Sequence, residues 1–171
     1  QLPMFEEAVA VTEWTRGADG WRCAPPAPAP AVPRMEQIYR AMMLGLRDYV
    51  DKNRFPGVVL GLSGGIDSAI SAAVAADALG PDRVRAVMMP SPYTSRESLE
   101  DAEDCARLLG IRYESIGIGP AMEAFGGMLR PAFGNRPPDI AEENLQSRIR
   151  GVTLMALSNK FGDMLLTTGN K

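Results

Sequence analysis

The 171-residue chain contains no histidine. That absence removes Ser-His-Asp and Cys-His catalysis and every histidine-ligated metal site, so chemistry here must run on carboxylates, hydroxyls, amides, arginines, lysines and bound ions. Cysteine is scarce as well. Cys23 and Cys105 lie far apart and form no CxxC pattern, which argues against a zinc site and a disulfide scaffold and fits a reducing, cytoplasmic home. No apolar run approaches the roughly 18–20 residues of a membrane helix. The N-terminus, Gln1 to Glu7, lacks the basic-then-apolar order of a targeting segment. Charge of one sign is also wanting: 18 Lys and Arg against 21 Asp and Glu leave −3, no electrostatic footprint for nucleic acid or an anionic membrane. Any anion must therefore be held by local groups.

What is present is a regular alternation of apolar patterns. Residues 5–23 read as a hairpin, with strands "AVAVTEW" and "WRC" around the turn-forming "RGADG". "APPAPAPAVP", residues 24–33, is dense enough in proline to favour extended polyproline II and marks a boundary. Apolar residues at helical spacing from Met35 to Val50 then predict an amphipathic helix to Lys52, closed by Asn53 and Pro56, with its methionine stripe in the core. Beyond it, strands at 57–62, 84–89, 111–116 and 164–168 alternate with helices at 66–79, 95–109, 120–129 and 140–161. Thr94/Glu97 and Asp139/Glu142 supply capping-box signatures. Such alternation predicts a doubly wound α/β fold with a parallel, Rossmann-like sheet, preceded by the hairpin and linker. The usual order in that class puts the first of these strands centrally, two strands on one side and the last on the other. The loops after Ser63 and Thr168 then meet at the switch point where ligands bind. The chain opens on Gln1 and stops inside "LLTTGNK", so it is expected to be a fragment of a longer protein.

Three groups of residues suggest chemistry. In "GLSGGIDS", Gly61–Ser68, paired glycines let a ligand approach the backbone, the following helix presents unpaired N–H groups and its positive dipole end, and Ser63 and Ser68 add hydroxyls. This is an anion cradle without the lysine of a Walker A loop and without GxGxxG. Asp67 would repel an anion unless a cation bridges the two, and a Mg²⁺ held by Asp67 and phosphate oxygens resolves the conflict. On the 140–161 helix, Asn144, Ser147, Arg148 and Gly151 form one stripe, and Leu145, Ile149, Val152 and Ala156 form a packing stripe. Arg148 suits a carboxylate or phosphate because its planar fork bonds two oxygens at once. "TTGNK", residues 167–171, is a polar loop placed for a nucleotide contact.

"LSGGIDS" resembles the SGGxDS pyrophosphate loop of the ATP pyrophosphatase (PP-loop) superfamily. "GLRDYVDKNRFPGVVLGLSGGIDSA", "VMMPSPYTSRESLEDA", "DIAEENLQSRIRG", "LMALSNKFG" and "LLTTGNK" are similar, in order and spacing, to blocks of the glutamine-dependent bacterial NAD synthetases. The resemblance covers residues 35–171 and implies the adenine nucleotide alpha hydrolase type of fold. Residues 1–23 resemble the tail of a nitrilase-like glutaminase domain, leaving 24–34 as a Pro/Ala linker and 35–171 as the first part of the synthetase domain.

The implied reaction is adenylation of the nicotinate carboxylate of deamido-NAD by ATP, followed by attack of glutamine-derived ammonia to give NAD, AMP and pyrophosphate. No side chain is implied beyond those that position substrates and metal. Gly61, Leu62, Ser63, Gly64, Gly65, Ile66, Asp67, Ser68 and Thr168 would contact ATP, Asp67 would bind Mg²⁺, and Asn144 and Arg148 would contact deamido-NAD. The family pattern adds a metal-binding glutamate two positions past TTGNK, beyond Lys171, so the chain by itself is expected to be inactive or nearly so. It also implies a homodimer whose dinucleotide site lies at the subunit interface, and a glutaminase domain in the same polypeptide. Another PP-loop enzyme, of the tRNA thiolase or GMP synthetase type, and a nucleotide-binding fragment without activity are the competing readings.

Overall fold

The structure, a computed structural model, describes residues 2–24 and 31–167 and divides into two compact units, residues 1–45 and 46–171. In the first unit, β1 (Trp14–Gly17) pairs antiparallel with β2 (Gly20–Cys23), and Gly17 faces Gly20 across a two-residue turn. The expected strand over Ala8–Glu13 does not form. Pairing with β2 ends at Trp14 apart from one further bond, Ala24 N–H to the Glu13 carbonyl at 3.1 Å, and Val9 and Val11 lie exposed without a strand partner among the described residues.

Helix α1 (Arg34–Lys52) begins and ends close to where its periodicity places it, and Asn53 closes it by donating from Nδ2 to the Tyr49 carbonyl at 2.8 Å. Its methionine stripe is not core, however. Met35, Ile38, Met42 and Tyr49 are exposed, and only the last turns, through Leu46 and Val50, enter the hydrophobic centre of the second unit. Helical spacing reveals a stripe, not what covers it.

The second unit is a four-stranded parallel sheet in the order β5-β4-β3-β6, formed by β3 (Val58–Gly61), β4 (Val84–Met88), β5 (Arg112–Ser115) and β6 (Met164–Leu166). The expected order is therefore observed, with β3 between β4 and β6. Val58, Val59 and Leu60 are all fully buried, and period two explains why a continuous apolar run suits them. Val58 and Leu60 face a cluster with Val50, Ala72, Ala75 and Ala102, while Val59 faces the opposite cluster with Val87, Ile118 and Ile149. Each such side chain contributes about 1.5–3 kcal/mol.

Helices α2 (Ile66–Leu79) and α3 (Arg96–Leu109) supply the first cluster; α4 (Gly119–Phe133) and α5 (Ile140–Phe161) lie on the other face. The sheet is thus wound on both sides. α4 runs past the expected end at residue 129 with Pro131 inside it, and closes through Gly134 N–H to the Arg130 carbonyl. The α3 cap is Ser95, which accepts from Ser98 N–H, and not Thr94. The Thr94 hydroxyl instead accepts from Ser91 N–H at 2.9 Å in the preceding turn.

The capping box of α5 forms as expected: Asp139 accepts from Ala141 N–H and Glu142 from Asp139 N–H, at 2.8 and 2.7 Å. Its packing stripe is rotated from the expected one. Leu145 and Ile149 pack, but Leu154 and Leu157 continue the stripe, and Val152 and Ala156 are exposed. The expected stripe advanced by whole turns, while the buried line follows the sheet it lies across. At the N-terminal end of the strands Arg85 ties β4 to its neighbours, bonding Glu114 and Asp163 beneath a ring contact with Phe161 at 4.1 Å.

Burial pushes the Cys105 thiol above its ordinary value of 9.0, and burial followed by the charge of Glu103 pushes the Tyr113 phenol above 10.0. Both groups hold their protons more tightly folded than unfolded, so their contribution to stability is full below about pH 9 and is lost as pH rises through the folded values. Raising pH from about 8 to about 10.5 is expected to lower the denaturation midpoint of the full-length protein, with a shallower fall in Cys105→Ala. Equal slopes would contradict this assignment.

No helix among the described residues is long and apolar enough to cross a membrane.

Candidate nucleotide site

The chain leaves β3 at Gly61 and enters α2 at Ile66, with Ser63, Gly64 and Gly65 making the bend between them. The bend has a tight neighbour. Gly64 has φ +80°, and a Cβ there would stand 2.5 Å from the Ser98 carbonyl oxygen in the first turn of α3, so only glycine fits. Gly65 is the N-cap of α2, and no side chain caps the helix. The first N–H groups of α2 are therefore available to a ligand, with the positive end of the helix dipole behind them.

Ser68 is buried and its hydroxyl is spent on the loop itself. It donates to the Gly65 carbonyl at 2.8 Å and accepts from Ser63 N–H at 3.2 Å, and its oxygen lies 3.1 Å from the Ser63 hydroxyl. The Ser63 hydroxyl is tied into the same bend, since its oxygen accepts from Gly65 N–H at 3.3 Å, although Ser63 is exposed where Ser68 is buried. Asp67 and Ile66 are exposed in the first turn of α2, and the Asp67 carboxylate has no partner among the described residues.

Above the carboxyl ends of β3, β4 and β6 lies a cavity of about 470 Å³, within the roughly 300–1,000 Å³ common to small-molecule sites. Gly61, Leu62, Ser63 and Ser68 line it from the loop, Thr94 from the β4–α3 connection, Ser147, Arg150 and Gly151 from α5, and Thr167 from the end of β6. Ser63 and Thr167, just past the ends of β3 and β6, line the same cavity, and the second loop expected at the switch point starts one residue later. Thr168 lies outside the described residues.

The structure separates the other predicted residues. Gly64, Gly65, Ile66 and Asp67 form the crest of the loop and are not part of the cavity wall. Asn144 is exposed on the first half of α5, away from this wall, and Arg148 lines a different cavity of about 240 Å³ between α4 and α5, beside Arg130 and Arg136. Arg150 is not singled out by the sequence reading, and Thr94 is expected there only as a helix cap. The spacing 147, 150–151, 154 would have indicated Arg150, since it is one helical stripe and contains an arginine flanked by small residues.

Residues 38–171 match the sequence model of the NAD synthase family. The chain belongs to this family. Among curated members, the glutamine-dependent NAD(+) synthetase of Rhodobacter capsulatus is 56% identical over all 171 residues, and the chain spans 31% of that protein's length. Among solved structures, the glutamine-dependent NAD+ synthetase of Acinetobacter baumannii, determined in complex with ADP, superposes with a TM-score of 0.93 at 47% identity over the whole chain, which is 32% of that structure. The NH3-dependent NAD synthetase of Campylobacter jejuni gives 0.73 at 30% identity over 82% of the chain and 58% of its own. The chain thus spans about a third of the length of the glutamine-dependent NAD synthases it matches.

Proposed function

We propose that the full-length protein is a glutamine-dependent NAD synthetase, a ligase in which this chain contributes the ATP-binding half of the amidating site. ATP adenylates the nicotinate carboxylate of deamido-NAD and releases pyrophosphate; ammonia then displaces AMP from the acyl-adenylate to give NAD. The observation that carries this reading is the uncapped start of α2, wrapped by Ser63–Gly65 and opening beside a cavity at the switch point of the sheet. A departing pyrophosphate needs charge stabilisation rather than a proton relay, and backbone amides with hydroxyls supply that without histidine.

Gly61 to Ser68 and Thr168 would contact ATP, and Asn144 and Arg148 would contact deamido-NAD. Mg²⁺ fits the residues present. Asp67 offers one exposed, unpartnered carboxylate next to the cradle, and Mg²⁺ is usually held by one or two carboxylates plus phosphate oxygens. When bound, it would offset phosphate charge. The hairpin of residues 1–23 would close a glutaminase domain that supplies ammonia, residues 24–34 would link it to the synthetase domain, and the cytoplasmic enzyme would work as a homodimer or higher homo-oligomer.

The test is ATP–pyrophosphate exchange by the full-length protein. Exchange is expected to require deamido-NAD and Mg²⁺. Exchange triggered by tRNA or xanthosine monophosphate in place of deamido-NAD would overturn the proposal in favour of another PP-loop enzyme.

A further inference from the structure

We infer that Arg150 holds a phosphate group of the nucleotide, as the fixed cation that the Ser-Gly-Gly loop lacks; the inference rests on the proposed nucleotide site. Among the described residues lining the sheet-end cavity, Arg150 alone carries an ionisable side chain. Everything else on that wall, among the described residues, is apolar, hydroxyl-bearing or glycine, so Arg150 is the one full positive charge they bring to the cavity beside the amides of α2.

The side chain is set rather than free. Arg150 is half-buried on the inner stripe of α5, and its Nε–H donates to the Met89 carbonyl at 3.2 Å, where the chain leaves β4. That bond pins the guanidinium between helix and sheet and leaves its terminal amino groups for another acceptor. No carboxylate pairs with it among the described residues. Arg85, also half-buried and at the opposite end of β4, has two carboxylates and an aromatic face. A partly desolvated guanidinium without a counter-charge is costly, and an anion entering the cavity removes the cost. Its fork bonds phosphate or carboxylate oxygens two at a time, and the uncapped helix start beside the cavity favours phosphate of the two.

The loop chemistry points the same way. Walker-type cradles put a lysine on the phosphates from within the loop, whereas Gly61–Ser68 has no cation and spends the Ser68 hydroxyl internally. α5 lines the same cavity as the loop and brings the missing charge from outside it. Arg148, two residues earlier, is exposed and faces the α4–α5 cavity. The two arginines of "SRIRG" thus serve different spaces.

The test uses the full-length protein with Arg150→Gln, which keeps a donor for the Met89 carbonyl, and Arg150→Lys, which keeps the charge. Inorganic pyrophosphate is titrated calorimetrically and KM is measured separately for ATP and deamido-NAD. Arg150→Gln is expected to weaken pyrophosphate binding and raise the ATP KM about ten- to a hundredfold, with the deamido-NAD KM and melting temperature little changed. Arg150→Lys is expected to recover part of the affinity. Unchanged pyrophosphate and ATP affinities, or equal losses in both variants, would overturn the inference. Pyrophosphate binding needs no acyl substrate: an Arg150-dependent titration without deamido-NAD-dependent exchange would sink the proposed reaction and leave the assignment of Arg150 standing.

Discussion

Gly64→Ala is expected to reduce ATP–pyrophosphate exchange in the full-length enzyme by about a hundredfold or more and to lower stability by several kcal/mol. Two costs combine. The backbone at Gly64 has φ +80°, a conformation that costs an L-residue about 1–2 kcal/mol. The new methyl would also sit 2.5 Å from the Ser98 carbonyl oxygen and 2.8 Å from the Ser98 Cα, which are backbone atoms at the start of α3 and have no rotamer to change. Overpacking of this kind costs about 1–3 kcal/mol, and relief requires the loop to move off α3. Moving it displaces the amides at the head of α2, and amide positions are what the site offers a departing pyrophosphate. Exchange assays and chemical denaturation on the same preparation separate the two costs. Full exchange in Gly64→Ala would show that the cradle geometry does not matter.

Asp67→Asn should change metal dependence rather than fold. Asp67 is exposed and contributes no side-chain bond to the loop, so its replacement removes charge and little else. If the carboxylate holds Mg²⁺ against the nucleotide, turnover should fall by about a hundredfold or more, because the metal's effect on phosphate charge is worth several kcal/mol. ATP affinity, measured by calorimetry at low and high Mg²⁺, should lose its response to the metal. The opposite sign is also informative. Where no cation intervenes, removing a negative charge from an anion site should tighten ATP binding, and an Asp67→Asn enzyme with higher affinity and unaltered Mg²⁺ dependence would defeat the metal assignment.

Much of the second unit was legible because its signals are local and repeated. Val58–Leu60 is a short apolar run bounded by glycine, and Asp139/Glu142 and Gly162 punctuate α5 at both ends as expected. Strand order followed from the usual arrangement of the doubly wound class, which is indifferent to side-chain detail. Failures came where a pattern needed a partner that sequence does not name. Val9 and Val11 alternate correctly and pair with no strand among the described residues, and Met35, Ile38 and Met42 form a true helical stripe that remains exposed.

The site divided along the same line. The Ser-Gly-Gly bend was readable because glycine and an uncapped helix start have few other uses. Arg148 and Arg150, however, are distinguished by about 200° of helical rotation, and only the line of α5 across the sheet decides which one meets the loop. The role of Ser68 was hidden for a similar reason. A serine in a phosphate-loop sequence reads as a donor to the ligand, whereas here its hydroxyl is consumed by Gly65 and Ser63.

The most direct test of the account follows the oxygen. The full-length enzyme would be given ATP, ammonia and deamido-NAD labelled with ¹⁸O in the nicotinate carboxylate, and the products analysed by mass spectrometry. Attack of that carboxylate on the α-phosphate must carry one labelled oxygen into AMP when ammonia displaces the adenylate, so AMP bearing a single ¹⁸O and unlabelled pyrophosphate are expected. Label in inorganic phosphate, with ADP as the nucleotide product, would mean attack at the γ-phosphate and would contradict the assignment of Gly61–Ser68 as the cradle for a leaving pyrophosphate.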